Sequence, residues 1–171
     1  ETTSKIEIIE IEAGEENKNL DTCTGVWQAL TELGKITFIQ SHGHSAPESD
    51  LTNYMSRHFK EAVFKKELIN EDNWYYLVYY HQKLVGYSKL NLNYTTEVIS
   101  SKNVAKLERI YVLKEAYGLD VGKALFDFNI ELTKTHEQKG IWLFTWVENY
   151  RAIRFYEKMG FKIIGKYDFP V

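Results

Sequence analysis

Cysteine is almost absent from this chain. Cys23 is the only one, so no internal disulfide can form and a reducing compartment is expected. Basic excess is absent too: 21 Lys and Arg stand against 24 Asp and Glu, a formal net charge of -3. That balance gives no general attraction to nucleic acid, whose binders usually show a basic face. Cationic small molecules are easier partners. No apolar run approaches the length of a bilayer span, and the segment from Lys5 to Glu12 alternates too strongly to read as a signal peptide. There are no repeats and no low-complexity tract. The expectation is a soluble, cytoplasmic protein with neither nucleic-acid nor membrane partners.

What is present is enough apolar material for a core. The 171 residues are 44% hydrophobic and 15% aromatic, the size and composition of one domain spanning residues 1–171. The alternation from Lys5 to Glu12 marks an opening strand, followed by a polar turn through Gly14 to Asn19. Val26, Trp27, Leu30 and Leu33 recur at helical spacing within Leu20 to Ser41, although Gly34 and the β-branched pair Ile36-Thr37 weaken its end. Ser41 to Pro47 reads as a loop, and Pro47 suits the first turn of a new helix. Two short helices should run to Ile69. Trp74–Tyr80 and Leu84–Leu92 are β-rich runs split by His81 to Lys83, a hairpin signal.

After a polar loop, Asn93 to Asn103, the pattern predicts a strand Lys106–Val112. A helix Val121–Gln138 follows, with Ala124, Leu125, Phe128 and Leu132 on one stripe. A strand Ile141–Trp146 comes next, then a helix Asn149–Met159 ended by Gly160, and a last strand Phe161–Gly165. The fold class is therefore mixed α/β, with a crossover from Lys106 to Trp146 that should be parallel and right-handed. Ligands in such sheets usually sit at the carboxyl ends of the strands, which points to Val112 through Gly122.

Gly118 and Gly122 bracket a turn between a strand and a helix, and a helix N-terminus offers free N–H groups and positive dipole to an anion. Lys123 adds charge, and Ala124 is small enough for a ligand to approach. The plainer alternative is an ordinary loop whose glycines relieve strain, with Asp120 as an N-cap. Asn149 is well placed to cap the following helix, and Tyr156 lies on its side two turns on. Phe155, Tyr156 and Phe161 read equally as core aromatics. His42 and His44 flank Gly43 but supply too few ligands for a metal, so none is expected. A lone Cys23 without a paired histidine motif reads as buried filler.

Taken together, Leu107 to Leu113, the turn Tyr117 to Ala124 and the run Asn149 to Phe161 resemble the GNAT superfamily of acetyl-CoA-dependent N-acetyltransferases. Gly86 to Asn91, Glu108 to Glu115 and Ile141 to Asn149 are most similar to its PaiA-type polyamine acetyltransferases. The resemblance implies that Ile110, Tyr111 and Val112 pair their backbone with the pantetheine arm of acetyl-CoA. It implies that Tyr117, Gly118, Leu119, Asp120, Val121, Gly122, Lys123 and Ala124 cradle the pyrophosphate. Asn149 and Arg151 would contact the cofactor, and Tyr156 would both contact it and protonate the departing thiolate.

Glu108 is the candidate base, acting through water, against the alternative that it pairs with Arg109, Lys106 or another cation. The implied acceptor is a small amine, a polyamine first, with a protein amino terminus or lysine as runner-up. A degenerate module that binds CoA weakly is the other reading. The likeness places the His42–His44 loop near the acceptor mouth, followed by Tyr54 and Phe59. Glu48, Asp50, Glu61, Glu67 and Glu71 form either an attraction for a polyamine or a solvated face. The chain departs from the family turn at Tyr117, where Gln or Arg is usual, and at Asp120, where Gly is usual. A carboxylate there would repel a pyrophosphate and occupy its N–H groups. Relatives also continue into one more strand, so a missing last strand or a homodimer across that edge is expected.

Overall fold

A computed structural model describes residues 5–11, 20–43, 47–99 and 101–168. The polar turn from Gly14 to Asn19, His44 and the Cys23 side chain lie outside the described residues. The elements run β1 (Ile6–Ile11), α1 (Leu20–His42), α2 (Glu48–His58), α3 (Glu61–Ile69), β2 (Asn73–Tyr80), β3 (Lys83–Asn91), β4 (Ala105–Val112), α4 (Val121–Thr135), β5 (Ile141–Trp142) and α5 (Tyr150–Lys158), with a short 3-10 turn at Lys114–Ala116. The strands form one sheet in the order β1-β2-β3-β4-β5. Neighbours are antiparallel from β1 to β4, and β4 and β5 are parallel.

Helices cover both faces. On one, Trp27, Leu30, Leu33 and Phe38 of α1 pack with Phe59, Phe64 and Leu68 against Tyr75, Leu77 and Tyr87. On the other, Val121, Leu125 and Phe126 of α4 meet Val78, Val85, Leu90 and Leu107. Phe155 and Tyr156 of α5, with Met159 just past its end, join this second cluster. The hairpin turn needs no glycine because His81 and Gln82 both take positive φ, 46° and 64°, the geometry that matches strand twist.

Gly34 does not end α1. A Cβ at that position would overlap the Phe59 ring, so the residue's smallness lets the 1% exposed Phe59 seat against the helix. Gly34→Ala is expected to lower stability by about 1–2 kcal/mol, overpacking outweighing the helix-propensity gain of about 1 kcal/mol. A raised thermal midpoint in this variant would mean that the ring yields instead.

Several expectations are corrected. Helix α1 continues through Ser41 and His42, where a loop was expected. Helix α4 stops at Thr135 because Glu137 turns left-handed, with φ 54°, and Gln138 N–H donates back to Thr133 O. Its buried stripe is Val121, Leu125, Phe126, Asn129 and Thr133. Asn129 is fully buried there, donating to Ser88 Oγ at 3.0 Å and to Leu125 O at 2.7 Å. Strand β5 ends at Trp142 rather than Trp146. Phe161–Gly165 forms no strand, and Ile163 and Ile164 are 74% and 60% exposed. A two-residue outer strand offers that segment almost no backbone ladder to join.

Candidate active site

Strand β4 is the axis of the site. It pairs with β5 only at Ala105↔Ile141 and Lys106↔Trp142. Past Lys106 the two strands part, and the outer backbone edge of β4 from Leu107 to Val112 has no strand partner among the described residues. The inner edge stays bonded to β3 through Val112↔Gly86.

That inner pairing holds an irregularity. Lys89 faces Arg109 and Leu90 faces Leu107, which leaves Glu108 as the extra residue of a β-bulge. A bulge breaks the alternation of faces. Leu107, Ile110 and Val112 pack on the α4 side, whereas Glu108, Arg109 and Tyr111 reach partners on the side covered by α1 to α3.

On that side the charges form a network. Arg109 is 8% exposed and donates to both carboxylate oxygens of Glu67, at 2.8 and 3.1 Å, and to Tyr75 Oη at 2.8 Å. Lys89 lies 3.3 Å from Glu67 and 3.4 Å from Glu108. Lys106 lies 3.7 Å from Glu108. Burial by itself raises the Glu67 carboxyl, but Arg109, Lys89 and the Tyr75 hydrogen bond hold it below its ordinary value. Glu67 is thus committed to the interior and is not part of an acidic face, while Glu48, Asp50, Glu61 and Glu71 are exposed. Of the alternatives for Glu108, pairing with cations is observed, and the partners are Lys89 and Lys106. A polar cavity of about 410 Å³ opens beside Glu108 and Lys89, lined also by Asp72, Asn73, Asn91 and Tyr94.

At the carboxyl end of β4 the turn leads into α4. Gly118 takes φ 78°. Asp120 sits in the left-handed region, φ 58° and ψ 4°, and its side chain makes no cap hydrogen bond. Asp120 thus occupies the N-cap position, as the plainer reading had it, but without the side-chain hydrogen bond of a capping aspartate. Ala124 N–H bonds to Asp120 O at 2.8 Å, so the amides of Val121, Gly122 and Lys123 precede the first helical bond. A Cβ at Gly118 or Gly122 would meet no atom within 4 Å, so the turn's surface is open. Lys123 is engaged with Asp127 one turn on.

Helix α5 closes the other side. Asn149 Oδ1 accepts from Ala152 N at 3.1 Å, capping the helix as expected. The Arg151 guanidinium stacks 3.2 Å from the centre of the Tyr117 ring, tying the helix to the turn. Tyr156 packs in a cluster with Phe126, Phe155 and Phe161, so Phe155, Tyr156 and Phe161 lie half-buried against the core rather than within it. Burial raises the Tyr156 phenol well above its ordinary value, and Tyr111 adds to the effect. Tyr111 is pushed up to about 12, again by burial first. Two neutral phenols therefore stand within electrostatic reach beside the β4–β5 gap.

The sequence reading missed Lys89, the Glu67–Arg109 pair and the ring cluster Phe38, Tyr54 and His58 on α1 and α2. Burial raises the Tyr54 phenol, with Arg109 and Glu108 as its charged neighbours. Tyr54 and Glu67 stand out in the sequence singly, but not their partners: Glu67 meets Arg109 across 42 residues and Phe38 meets Tyr54 from another helix, whereas Tyr54 and His58 are one helical turn apart. Among the described residues no group of three or more His, Cys, Asp or Glu is placed to hold a metal, and no helix is long and apolar enough to cross a membrane.

The five-stranded mixed sheet flanked by helices is the GNAT fold. The chain belongs to the Acetyltransferase (GNAT) family, whose model matches residues 28–161, and is an N-acetyltransferase of that family. It is similar to an uncharacterized N-acetyltransferase of Lactobacillus delbrueckii subsp. lactis, 24% identical over 75% of this chain and 74% of that protein. Among solved structures, the PaiA N-acetyltransferase from Thermoplasma acidophilum in complex with coenzyme A superposes with a TM-score of 0.74 at 18% identity. That match covers 94% of this chain and 91% of that one. The aminoglycoside N-acetyltransferase AAC(6')-Iy in complex with CoA gives 0.66 at 13% identity, covering 97% and 93%.

Proposed function

We propose that the chain moves the acetyl group of acetyl-CoA to a primary amine by direct attack, with a polyamine as the acceptor. One observation carries this reading: the outer edge of β4, without a strand partner among the described residues, leads to a helix start whose first amides precede the helical bonds, and Tyr156 packs against the same cluster as Ile110 of that strand. An extended pantetheine arm can pair with the backbone of Ile110, Tyr111 and Val112 as an added strand would. The turn from Tyr117 to Ala124 can then receive the pyrophosphate on backbone N–H groups. Asn149 uses its carbonyl oxygen in the cap, which leaves its amide nitrogen for the cofactor, and Arg151 brings positive charge to the same turn.

The chemistry divides between the two ends of β4. Tyr156 gives its proton to the departing thiolate; burial raises the phenol, which keeps the proton on it until the C–S bond breaks and makes the transfer itself uphill. Glu108 draws the acceptor's proton through water. Its two lysine partners, Lys89 and Lys106, leave the adjacent polar cavity as the approach for the amine. Exposed Glu48, Asp50, Glu61 and Glu71 favour a cationic acceptor. The lone cysteine fits a reducing, cytoplasmic setting.

Thermal melting with acetyl-CoA followed by thiol release with spermidine and other amines tests the reading. A ligand selective for the folded state must raise the melting temperature. Removing the carboxylate in Asp120→Gly is expected to tighten acetyl-CoA binding about two- to fivefold and to relieve a left-handed backbone cost of about 1 kcal/mol. No shift and no thiol release from the parent with any amine, while Asp120→Gly shows both, would make the native chain a degenerate member.

A further inference from the structure

Lys106 is the last β4 residue paired with β5, so its side chain leaves the sheet at the point where the strands part. Its Nζ lies 3.7 Å from Glu108 Oε2, and the side chain is only 14% exposed. The ring centres of Tyr94, Trp142 and Phe144 stand 4.8, 5.4 and 5.6 Å from the same nitrogen. Trp142 belongs to β5 and Phe144 lies two residues beyond it, so both rings come from the far bank of the gap. Three rings and a carboxylate hold one cationic nitrogen in one place. Lys89 is closer still to Glu108, at 3.4 Å, but it sits on β3, a strand further from the gap, and a second carboxylate, Glu67, holds it. The amine best placed between the base and the gap is therefore one that the protein supplies.

We propose that Lys106 is itself an acetyl acceptor, so that acetyl-CoA held in the β4–β5 gap acetylates its Nζ when no other amine is present. The inference rests on the acetyl-CoA reading above. The Lys106 ammonium gives one proton to Glu108, and the freed lone pair forms the N–C bond at the thioester carbonyl. The C–S bond breaks, and CoA leaves as a thiolate that takes the Tyr156 proton. The second proton lost from the nitrogen restores that phenol, and the first passes from Glu108 to water. The product amide is uncharged, which leaves Glu108 with Lys89 as its only cation and fills the ring-lined space with an acetyl group.

The test is incubation of the full chain with acetyl-CoA and no amine, followed by intact mass and peptide mapping. Uncatalysed acetylation should fall first on open lysines such as Lys83 and Lys134, whose side chains are 67% and 65% exposed. The expected result is a single gain of about 42 Da at Lys106 ahead of those two, at a rate independent of protein concentration. Lys106→Arg, which keeps the cation, abolishes that gain, and Glu108→Gln slows it by about tenfold or more. If acetyl-CoA raises the melting temperature and Lys106 stays unmodified, or is modified no faster than Lys83, the proposal is wrong while the acetyl-CoA reading stands. If acetyl-CoA gives no thermal shift, both fall.

Discussion

Replacing Tyr156 by Phe is expected to lower kcat by about a hundredfold to ten-thousandfold, the range of a lost general acid, with the KM for acetyl-CoA nearly unchanged. The ring stays, and with it the packing against Phe126, Phe155 and Phe161, so the melting point should move by the equivalent of less than about 1 kcal/mol. That contrast separates a proton donor from a core aromatic. The pH behaviour follows from the same burial. The raised phenol stays protonated through the working range, so the parent should keep its acid at about pH 9, where an ordinary tyrosine begins to ionise. Equal rates for parent and Tyr156→Phe from about pH 7 to about pH 9 would remove the residue from the chemistry.

Glu67→Gln is expected to cost about 3–5 kcal/mol, the usual penalty for removing one member of a buried ion pair. At about 2–4 °C per kcal/mol for a chain of this size, this is a drop of at least about 6 °C. The loss is large because Arg109 and Lys89, 8% and 4% exposed, keep their charges and lose the carboxylate between them. The carboxyl is held below its ordinary value in the folded chain. Its contribution is therefore fully present above the unfolded carboxylate range, near pH 4.3, and is lost as pH falls through the lowered folded value. The parent should lose stability on acidification more steeply than Glu67→Gln. A variant that melts with the parent at neutral pH, and follows the same acid limb, would show that the network contributes nothing net.

Much of the fold is legible in the sequence where a local rule governs it. The alternation from Lys5 to Glu12 yields β1, and the aromatic runs either side of His81 yield the hairpin. Asn149 and Gly160 bound α5 as cap and stop. Local rules fail where a partner decides. Ile141 to Trp146 has the composition of a strand, but only its first two residues find β4, since the strands separate beyond Lys106. Phe161 to Gly165 has strand-like residues and no adequate edge to bond to. Asp120 has the chemistry of an N-cap, yet it adopts a left-handed backbone and its side chain makes no cap hydrogen bond.

The site divides the same way. The Gly118 turn and the Asn149 cap are legible because turn conformation and helix capping act within a few residues, and the chain alone determines the helix starts and the phenol two turns into α5, whereas Gly122 lies inside α4 rather than bracketing the turn. The bulge at Glu108 exists only because β3 pairs out of step with β4. Glu67 reaches Arg109 across 42 residues, and Lys106 gains its rings from Tyr94, Trp142 and Phe144 only once β5 lies alongside. Registers and buried charge pairs are set by which surfaces meet, and that is decided by tertiary packing rather than by any local run of residues.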